Sequence, residues 1–191
     1  MMNQLEIFKL YIQGDFNNQD QINRQKEEGN LTHPYAEHVN RIVDDKIENL
    51  PADLNGFFVL EESYYTNVET GRQNPLPHLF FFTEDEQGRV KLISYETPAD
   101  YPRKEFTNSN PNLKLDYKTL KVSEKFNPMT YDYIDGTFYG KSISQFNADT
   151  IFTLEEWIKD GVLLVTEILE KKGKVIVGVE SPIEYVRVSK H

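Results

Sequence analysis

The chain has 191 residues, a net charge of -10 and no cysteine. Its length suits one domain with a substantial core, so we expect residues 1-191 to form a single domain. The balance of 21 basic against 31 acidic residues argues against nucleic acid as a partner, because phosphate backbones bind clustered lysine and arginine. Without cysteine the chain supplies neither a thiol nucleophile nor a thiolate metal site.

The amino-terminal stretch MMNQLEIFKLYIQ has no basic segment followed by an apolar core. No later segment has the length and low charge of a membrane span. We therefore expect a soluble protein of the cytoplasm with no membrane partner, and the lack of cysteine is compatible with that compartment. A homodimer is kept as a candidate assembly.

Two short helices are predicted near the amino terminus. The first ends near Gly14 and rests on apolar residues at helical spacing, namely Leu5, Phe8, Tyr11 and Ile12. High helix propensity over residues 20–28, followed by Gly29-Asn30, predicts the second. The segment from residue 32 to residue 43 suits a helix or a strand equally, and the pattern leaves both open.

After Pro51 the pattern becomes consistently β. Apolar runs separated by turn signals predict strands at 57–65, 78–83, 89–96, 117–123, 137–146, 149–153, 162–169, 174–179 and 183–189. The short connections favour antiparallel neighbours, since parallel strands need long crossovers. Both a closed barrel and a sandwich fit about nine or ten short strands. We predict the barrel, which at this size encloses one small ligand, whereas a sandwich fills its interior with side chains.

One predicted strand, GFFVLEESYY at residues 56–65, carries two adjacent glutamates. Alternation puts Glu61 and Glu62 on opposite faces, each together with aromatic residues. An unpaired buried carboxylate is unfavourable. Either the strand lies at a rim where both glutamates reach water, or one glutamate faces a cavity and contacts a polar part of a ligand. Glu167 poses a similar alternative, because it shares an apolar face and suits either a cavity or a pair with Arg187.

The run Phe80-Phe81-Phe82 places aromatic side chains on both faces of the next strand. We attribute this pattern to packing between the barrel interior and an outer helix. Familiar catalytic motifs are absent from the sequence, which contains no G-x-S-x-G, Walker A, dinucleotide or H-E-x-x-H pattern. His33 and His38 are five residues apart and share neither a helix face nor a strand face, so we expect no metal site and no intrinsic cofactor.

Three polar and aromatic clusters occur in a distinctive order: GDFNNQDQ at 14–21, HPYAEH at 33–38 and LEESYY at 60–65. With Gly56-Phe57-Phe58 before the third cluster, and Gly178 through Tyr185 and Arg187 near the end, this order resembles the CpeT/CpcT-like family. That family includes chromophore lyases that attach bilins to phycobiliproteins. The resemblance covers most of the chain and is strongest in residues 14–65.

The resemblance implies a calycin- or lipocalin-like antiparallel barrel whose cavity receives an open-chain tetrapyrrole, a bilin similar to phycocyanobilin. In the lyases the bilin is presented to a cysteine of a partner, here a phycobiliprotein-like acceptor. Glu61 and Glu62 are the implied catalytic residues, because a carboxylate near the ring nitrogens favours the protonated, more electrophilic chromophore. The other implied ligand-binding residues are Asn18, Gln19, Gln21, Tyr35, His38, Tyr64, Arg72 and His78.

The chain departs from the family where the lyases carry P-Y-R-x-R. Here NPLPHL places Pro77 and Leu79 at the arginine positions. The substitutes available for the propionates are Arg72, His78, Arg89 and Lys91. This departure leaves two alternatives to a lyase: a non-enzymatic calycin-type carrier of another apolar or tetrapyrrole ligand, and an interaction module of a bacterial or phage protein.

Overall fold

A computed structural model describes residues 2–66, 70–71, 73–99 and 101–188 of the chain. Within these residues there are two α-helices, α1 (Gln4–Ile12) and α2 (Gln19–Glu27). The strands are β1 (Gly14–Asn17), β2 (Tyr35–Ile42), β3 (Ile47–Glu48), β4 (Phe57–Thr66), β5 (Gln73–Glu84), β6 (Val90–Tyr95), β7 (Leu115–Asp116), β8 (Met129–Ile134), β9 (Thr137–Asn147), β10 (Thr150–Lys159), β11 (Val162–Lys171), β12 (Lys174–Val177) and β13 (Ile183–Arg187).

Ten of these strands form a closed antiparallel barrel. Their order is β10-β9-β8-β6-β5-β4-β2-β1-β13-β11, and pairing of β11 with β10 closes the ring. The predicted antiparallel barrel with short amino-terminal helices is therefore confirmed. Strand β12 extends the sheet beside β11, and β3 pairs with β7 in a small parallel sheet.

The ambiguous segment at 32–43 contains strand β2, and the two helices lie within a residue or two of their predicted positions. The strand predicted at 117–123 is wrong, because Tyr117–Thr119 form a single 3-10 turn and only Val122 bridges to the sheet. Strand β5 begins five residues earlier than its predicted start at 78. Its early part contains Pro75 and Pro77, and β6 pairs only with Leu79 and the residues after it. Proline is tolerated at such an unpaired edge.

Helix α1 closes one end of the barrel with aromatic packing. Asn3 and Glu6 form a capping box that fixes the start of the helix. Phe8 is fully buried, and its ring centroid lies 4.9 Å from those of Phe82 and Tyr131 and 5.0 Å from that of Phe138. This end of the barrel is therefore filled with side chains. Neither helix in the described ranges is long and apolar enough to cross a membrane.

Strand β4 is buried on both faces. Phe57 and Val59 face the barrel interior, whereas Phe58 and Leu60 belong to a second cluster on the outer surface. Residues of the connection between β6 and β8 cover that outer cluster, among them Phe106, Leu113 and Leu115. Phe81 packs in the same outer cluster. The outer helix that we expected over the phenylalanine run is therefore wrong, and a largely irregular segment takes its place.

Candidate functional site

The barrel is hollow toward the ends of the strands that lie away from α1. A cavity of about 580 Å³ lies there, within the range of about 300–1,000 Å³ typical of sites for one small molecule. Most of its wall is apolar or aromatic: Leu76, Phe80, Phe126, Phe146, Phe152, Leu154, Val165, Leu169, Val177, Val179 and Ile183 line it. An interior of this kind can hold a ligand without unfolding of any strand.

Three carboxyl groups interrupt this apolar wall. They belong to Glu61 of β4, Glu156 of β10 and Glu167 of β11. Lysine and arginine are not found among the described residues that line the cavity. Across the part of the chain that the structure describes, no cluster of three or more histidine, aspartate or glutamate side chains has the spacing of a metal site. The cavity therefore offers mainly hydrogen-bond acceptors to a ligand.

Each of the three glutamates accepts a hydrogen bond from a hydroxyl group. The donors are Tyr65 for Glu167 at 2.7 Å, Tyr131 for Glu156, and Ser63 for Glu61 at 3.3 Å. Burial raises the pKa values of Tyr65 and Tyr131 well above the ordinary value, so both hydroxyls stay neutral donors. Glu61 also has a side-chain hydrogen bond with Asn40. A carboxylate has about four acceptor sites, so each of the three glutamates keeps capacity for a ligand.

Burial also changes the pKa values of Glu156 and Glu61. It raises the pKa of Glu156 to about 8, and repulsion from Glu61 and Glu167 acts in the same direction. Burial likewise raises the pKa of Glu61. Glu156 is therefore mainly protonated near neutral pH, which makes it a donor as well as an acceptor.

His38 is buried beside Glu61, and its environment keeps it neutral. Burial lowers its pKa to about 4, and its ring stacks on Tyr185 with 4.0 Å between the centroids. Nδ1 lies 3.5 Å from Oε2 of Glu61, but because the ring is neutral this close approach is not an ion pair. Among the described residues, neither ring nitrogen has a hydrogen-bond partner. A buried polar group without a partner is unfavourable, so these nitrogens are available to a ligand.

The predicted site residues divide between the cavity and the outer surface. Glu61, His38 and His78 line the cavity. Glu62 is on the outer face of β4, where it accepts hydrogen bonds from the Tyr64 hydroxyl at 2.7 Å and from the Asn108 N–H at 2.8 Å. Glu62 and Tyr64 therefore hold the segment that covers the outer cluster, and they do not line the cavity.

Asn18 and Gln21 connect the start of α2 to the barrel wall. Oδ1 of Asn18 accepts the Ala36 N–H at 2.8 Å, and Nε2 of Gln21 donates to the Pro182 carbonyl at 2.9 Å. Both side chains are buried, and their hydrogen bonds connect α2 to β2 and to the start of β13.

The remaining candidates lie away from the cavity or outside the described residues. Gln19 is exposed on α2, and Tyr35 is on the face of β2 opposite the interior residue Ala36. Arg72 lies outside the described residues. Arg187 donates to Asp160 at 3.3 Å, whereas Glu167 lines the cavity.

Sequence reasoning missed Glu156. The doublet Glu155-Glu156 in β10 repeats the pattern of Glu61-Glu62 in β4, with one carboxylate on each face. Glu155 faces outward and accepts hydrogen bonds from the Tyr139 hydroxyl at 2.7 Å and from Lys141 at 3.1 Å. A glutamate doublet within a β pattern was therefore the available signal for the second cavity carboxyl.

The mouth of the cavity is apolar and aromatic. Phe126, Phe146 and Phe152 form a cluster there, and Nζ of Lys125 lies 5.5 Å from the ring centroid of Phe146. On the neighbouring strands Leu169 pairs with both Phe152 and Val177, and directly after Val177 the chain passes through Gly178, which has φ +97°. A Cβ at Gly178 would lie 1.9 Å from the Glu167 carbonyl oxygen, so only glycine lets the chain pass so close to β11 at this edge of the cavity.

Replacing Glu156 with glutamine is expected to make the protein more stable at alkaline pH. The folded state raises the pKa of Glu156 from 4.5 to about 8, so stability falls as the pH rises through that range. Glutamine does not ionise and keeps an oxygen that accepts from Tyr131. The variant should therefore exceed the original protein by roughly 2–4 kcal/mol at pH 9 in urea unfolding. At pH 4 the two should be similar.

Glu155→Gln is the matched control, because Glu155 is on the outer face of the same strand and its pKa is lowered. Its stability should differ from that of the original protein by nearly the same amount throughout pH 5 to 9. A Glu156→Gln profile that runs parallel to the original over that interval would contradict the buried, protonated state of Glu156.

No protein-family model, curated protein or solved structure matches the chain in the three comparisons. The function is therefore inferred from the cavity and its side chains.

Proposed function

We propose that this protein binds one open-chain tetrapyrrole, or a ligand of the same build, inside its barrel and serves as its carrier. The observation that carries this proposal is the hollow of about 580 Å³, in which apolar and aromatic walls surround three carboxyl groups. A bilin combines flat conjugated faces, which pack against aromatic side chains, with pyrrole N–H groups, which donate to carboxylates.

Glu61 and His38 are the central polar contacts in this proposal. Glu61 is paired across the sheet with His78 and has His38 as its interior neighbour. A carboxylate at this depth accepts pyrrole N–H groups, while a neutral histidine ring nitrogen without a partner accepts a further N–H or donates to a ring carbonyl. Glu167 and Glu156 extend the acceptor surface along β11 and β10.

A carrier is favoured over a lyase because the described lining contains no arginine or lysine to hold the propionates inside. The propionates would face the mouth, where Lys125 lies over Phe146. The hollow interior also argues against an interaction module, because the core of such a module would be filled with side chains. We place the carrier in the cytoplasm, with which a chain lacking disulfides is compatible.

The second candidate function is a chromophore lyase that presents the bilin to a cysteine of a phycobiliprotein-like partner. The order of the sequence motifs supports this function. A second support is that the cavity opens at one end of the barrel, where the outer part of a bound ligand can meet a thiol. The protein itself would contribute no cysteine to such a transfer.

Titration with phycocyanobilin or biliverdin tests the carrier. We expect a red-shifted, structured absorption band that saturates at one ligand per chain. Leu154→Trp should abolish the change, because the larger ring fills the cavity. Glu155→Gln, on the outer face of the same strand, should leave it intact. The absence of any spectral change with the original protein would contradict the proposal that the barrel binds a bilin.

Incubation of the bilin-loaded protein with a phycobiliprotein subunit separates the two functions. A bilin that remains on the subunit after denaturation would support the lyase. Binding to the barrel without covalent transfer would leave the carrier.

A further inference from the structure

We propose that the cavity selects ligands that bind as cations, and that Glu156 releases its proton when such a ligand enters. This inference rests on the proposed function, because it concerns the same cavity. It does not require the ligand to be a bilin, since it follows from the charges of the lining alone.

The first support is the placement of the carboxyl groups. In the pairing of β10 with β11, Glu156 is opposite Val165 and Leu154 is opposite Glu167. Glu156 and Glu167 are therefore diagonal neighbours on one face, where side chains are about 7–8 Å apart. Glu61 is on the interior face of β4 and interacts electrostatically with Glu156. Three acidic groups thus act on one another across the same apolar space.

The second support is the character of the groups that surround the carboxyls. Titratable groups reach the interior or its wall from the segment before β2 and from seven strands: His33, His38 of β2, Glu61 and Tyr65 of β4, His78 of β5, Tyr95 of β6, Tyr131 of β8, Glu156 of β10 and Glu167 of β11. Tyr185 of β13 packs beside His38. Lysine and arginine do not line the cavity within the described ranges. The tyrosines are neutral, and burial keeps His38 neutral as well.

The three carboxyl groups therefore have no lysine or arginine counter-ion in the described lining, where only His78 favours the charged form of Glu61 by Coulomb attraction, and Glu156 carries a proton near neutral pH. A cationic ligand supplies the missing positive charge at low local dielectric, where it stabilises an ionised carboxylate strongly. Because the ligand favours the ionised form of Glu156, its arrival lowers the pKa of Glu156 and the proton passes to the buffer. An anionic group that enters the cavity meets like charges instead, whereas the propionates of a bilin would stay at the mouth beside Lys125.

The sign of the pH dependence follows from this linkage. Glu156 has a pKa of about 8 without ligand, and the bound cation lowers it. Between those two values, affinity for the cation should rise with pH, by up to about tenfold per unit. Above pH 9 the group is already ionised, so the affinity should level off. At pH 7 close to one proton should leave for each cation bound.

Two fluorescent probes of similar size provide the first test. Thioflavin T is a cation, and 1-anilinonaphthalene-8-sulfonate is an anion. We expect the purified protein to bind the cation at least tenfold more tightly at pH 8, and to lose affinity for it on acidification from pH 8 to pH 6. Equal affinity for both probes, or failure of the cation to bind, would overturn the inference.

Calorimetry of the cationic probe at pH 7 in phosphate and in Tris provides the second test. The two buffers differ in ionisation enthalpy, so the difference in heat gives the number of protons released. Glu156→Gln should abolish the release while still binding the probe, and Glu155→Gln should keep both. If Glu156→Gln does not fold, the proton count of the original protein decides, and a count of zero overturns the inference.

These outcomes separate the inference from the proposed function. Bilin binding, together with no preference for the cationic probe and no proton release on its binding, would leave the carrier and remove this inference. Cation binding with proton release, but no bilin binding, would remove the carrier proposal and leave this inference.

Discussion

Replacing Glu61 with glutamine is expected to weaken bilin binding at least tenfold, whereas Glu62→Gln should leave the affinity within about twofold. Glu61 faces the cavity, and a hydrogen bond to a charged group is worth about 1.5–3 kcal/mol. Glu62 is on the opposite face, bonded to Tyr64 and to the Asn108 N–H. Absorbance titration with phycocyanobilin measures both affinities under the same conditions.

The same two substitutions should affect the free energy of unfolding in the reverse order. Glu62→Gln replaces a carboxylate that accepts two hydrogen bonds beneath the covering segment, so we expect it to lose about 1–2 kcal/mol of unfolding free energy in urea. Glu61→Gln should be neutral or slightly stabilising, because burial raises the pKa of Glu61 and penalises its charge. A folded Glu62→Gln variant that no longer binds the bilin would contradict the division of the two glutamates between inside and outside.

Phe8→Ala is expected to reduce the free energy of unfolding by about 3–5 kcal/mol and the Tm by roughly 10 °C. Phe8 fills the closed end of the barrel against Phe82, Tyr131 and Phe138, and the surrounding strands restrict collapse around the space that it leaves. Leu10→Ala on the same helix is the control, because Leu10 is 59% exposed.

The control should change the unfolding free energy by no more than about 0.5 kcal/mol. Urea unfolding followed by circular dichroism measures both variants. Equal losses for Phe8→Ala and Leu10→Ala would show that α1 contributes through helix formation alone and does not close the barrel.

The fold was largely predictable because strand alternation, turn residues and short connections all favour antiparallel neighbours. The long hairpin β10–β11 carries a clear turn signal at Asp160-Gly161. Strands β1 and β8 were missed. The GDFN of β1 consists largely of residues that favour turns, whereas the alternating, aromatic-rich MTYDYI of β8 is a strand signal that the prediction left unused.

The orientation of β4 was not predictable from its own residues. Apolar and acidic side chains occur on both faces, and each face is in fact covered. The cover on the outer face is an irregular segment around Phe106 and Leu113, which carries no periodic pattern to reveal where it packs. The contact of Asn108 with Glu62 places that glutamate on the outer face, whereas Glu61 lines the cavity.

Part of the candidate site was predictable. His38 and Glu61 were selected from sequence clusters, and His78 as a substitute for the missing arginines. All three line the cavity, and Glu167 was recognised as a carboxylate on an apolar face. Glu156 was missed because the predicted strand ended at residue 153, before the carboxylates of β10. The cavity itself has no local sequence signal, since it results from how far α1 and its aromatic contacts fill the barrel.

The contacts at the closed end of the barrel also determine how the protein can be attached to a reporter domain or a sensor surface. The Val188 N–H donates to the Asp15 carbonyl at 2.7 Å, and the Arg187 guanidinium donates to the Leu10 and Tyr11 carbonyls at 2.9 Å, beside the carboxyl end of α1. The aromatic mouth lies at the other end of the strands. A reporter domain or a sensor surface joined near residue 188 would therefore hold the barrel upright, with its mouth toward the solution and free to exchange ligand.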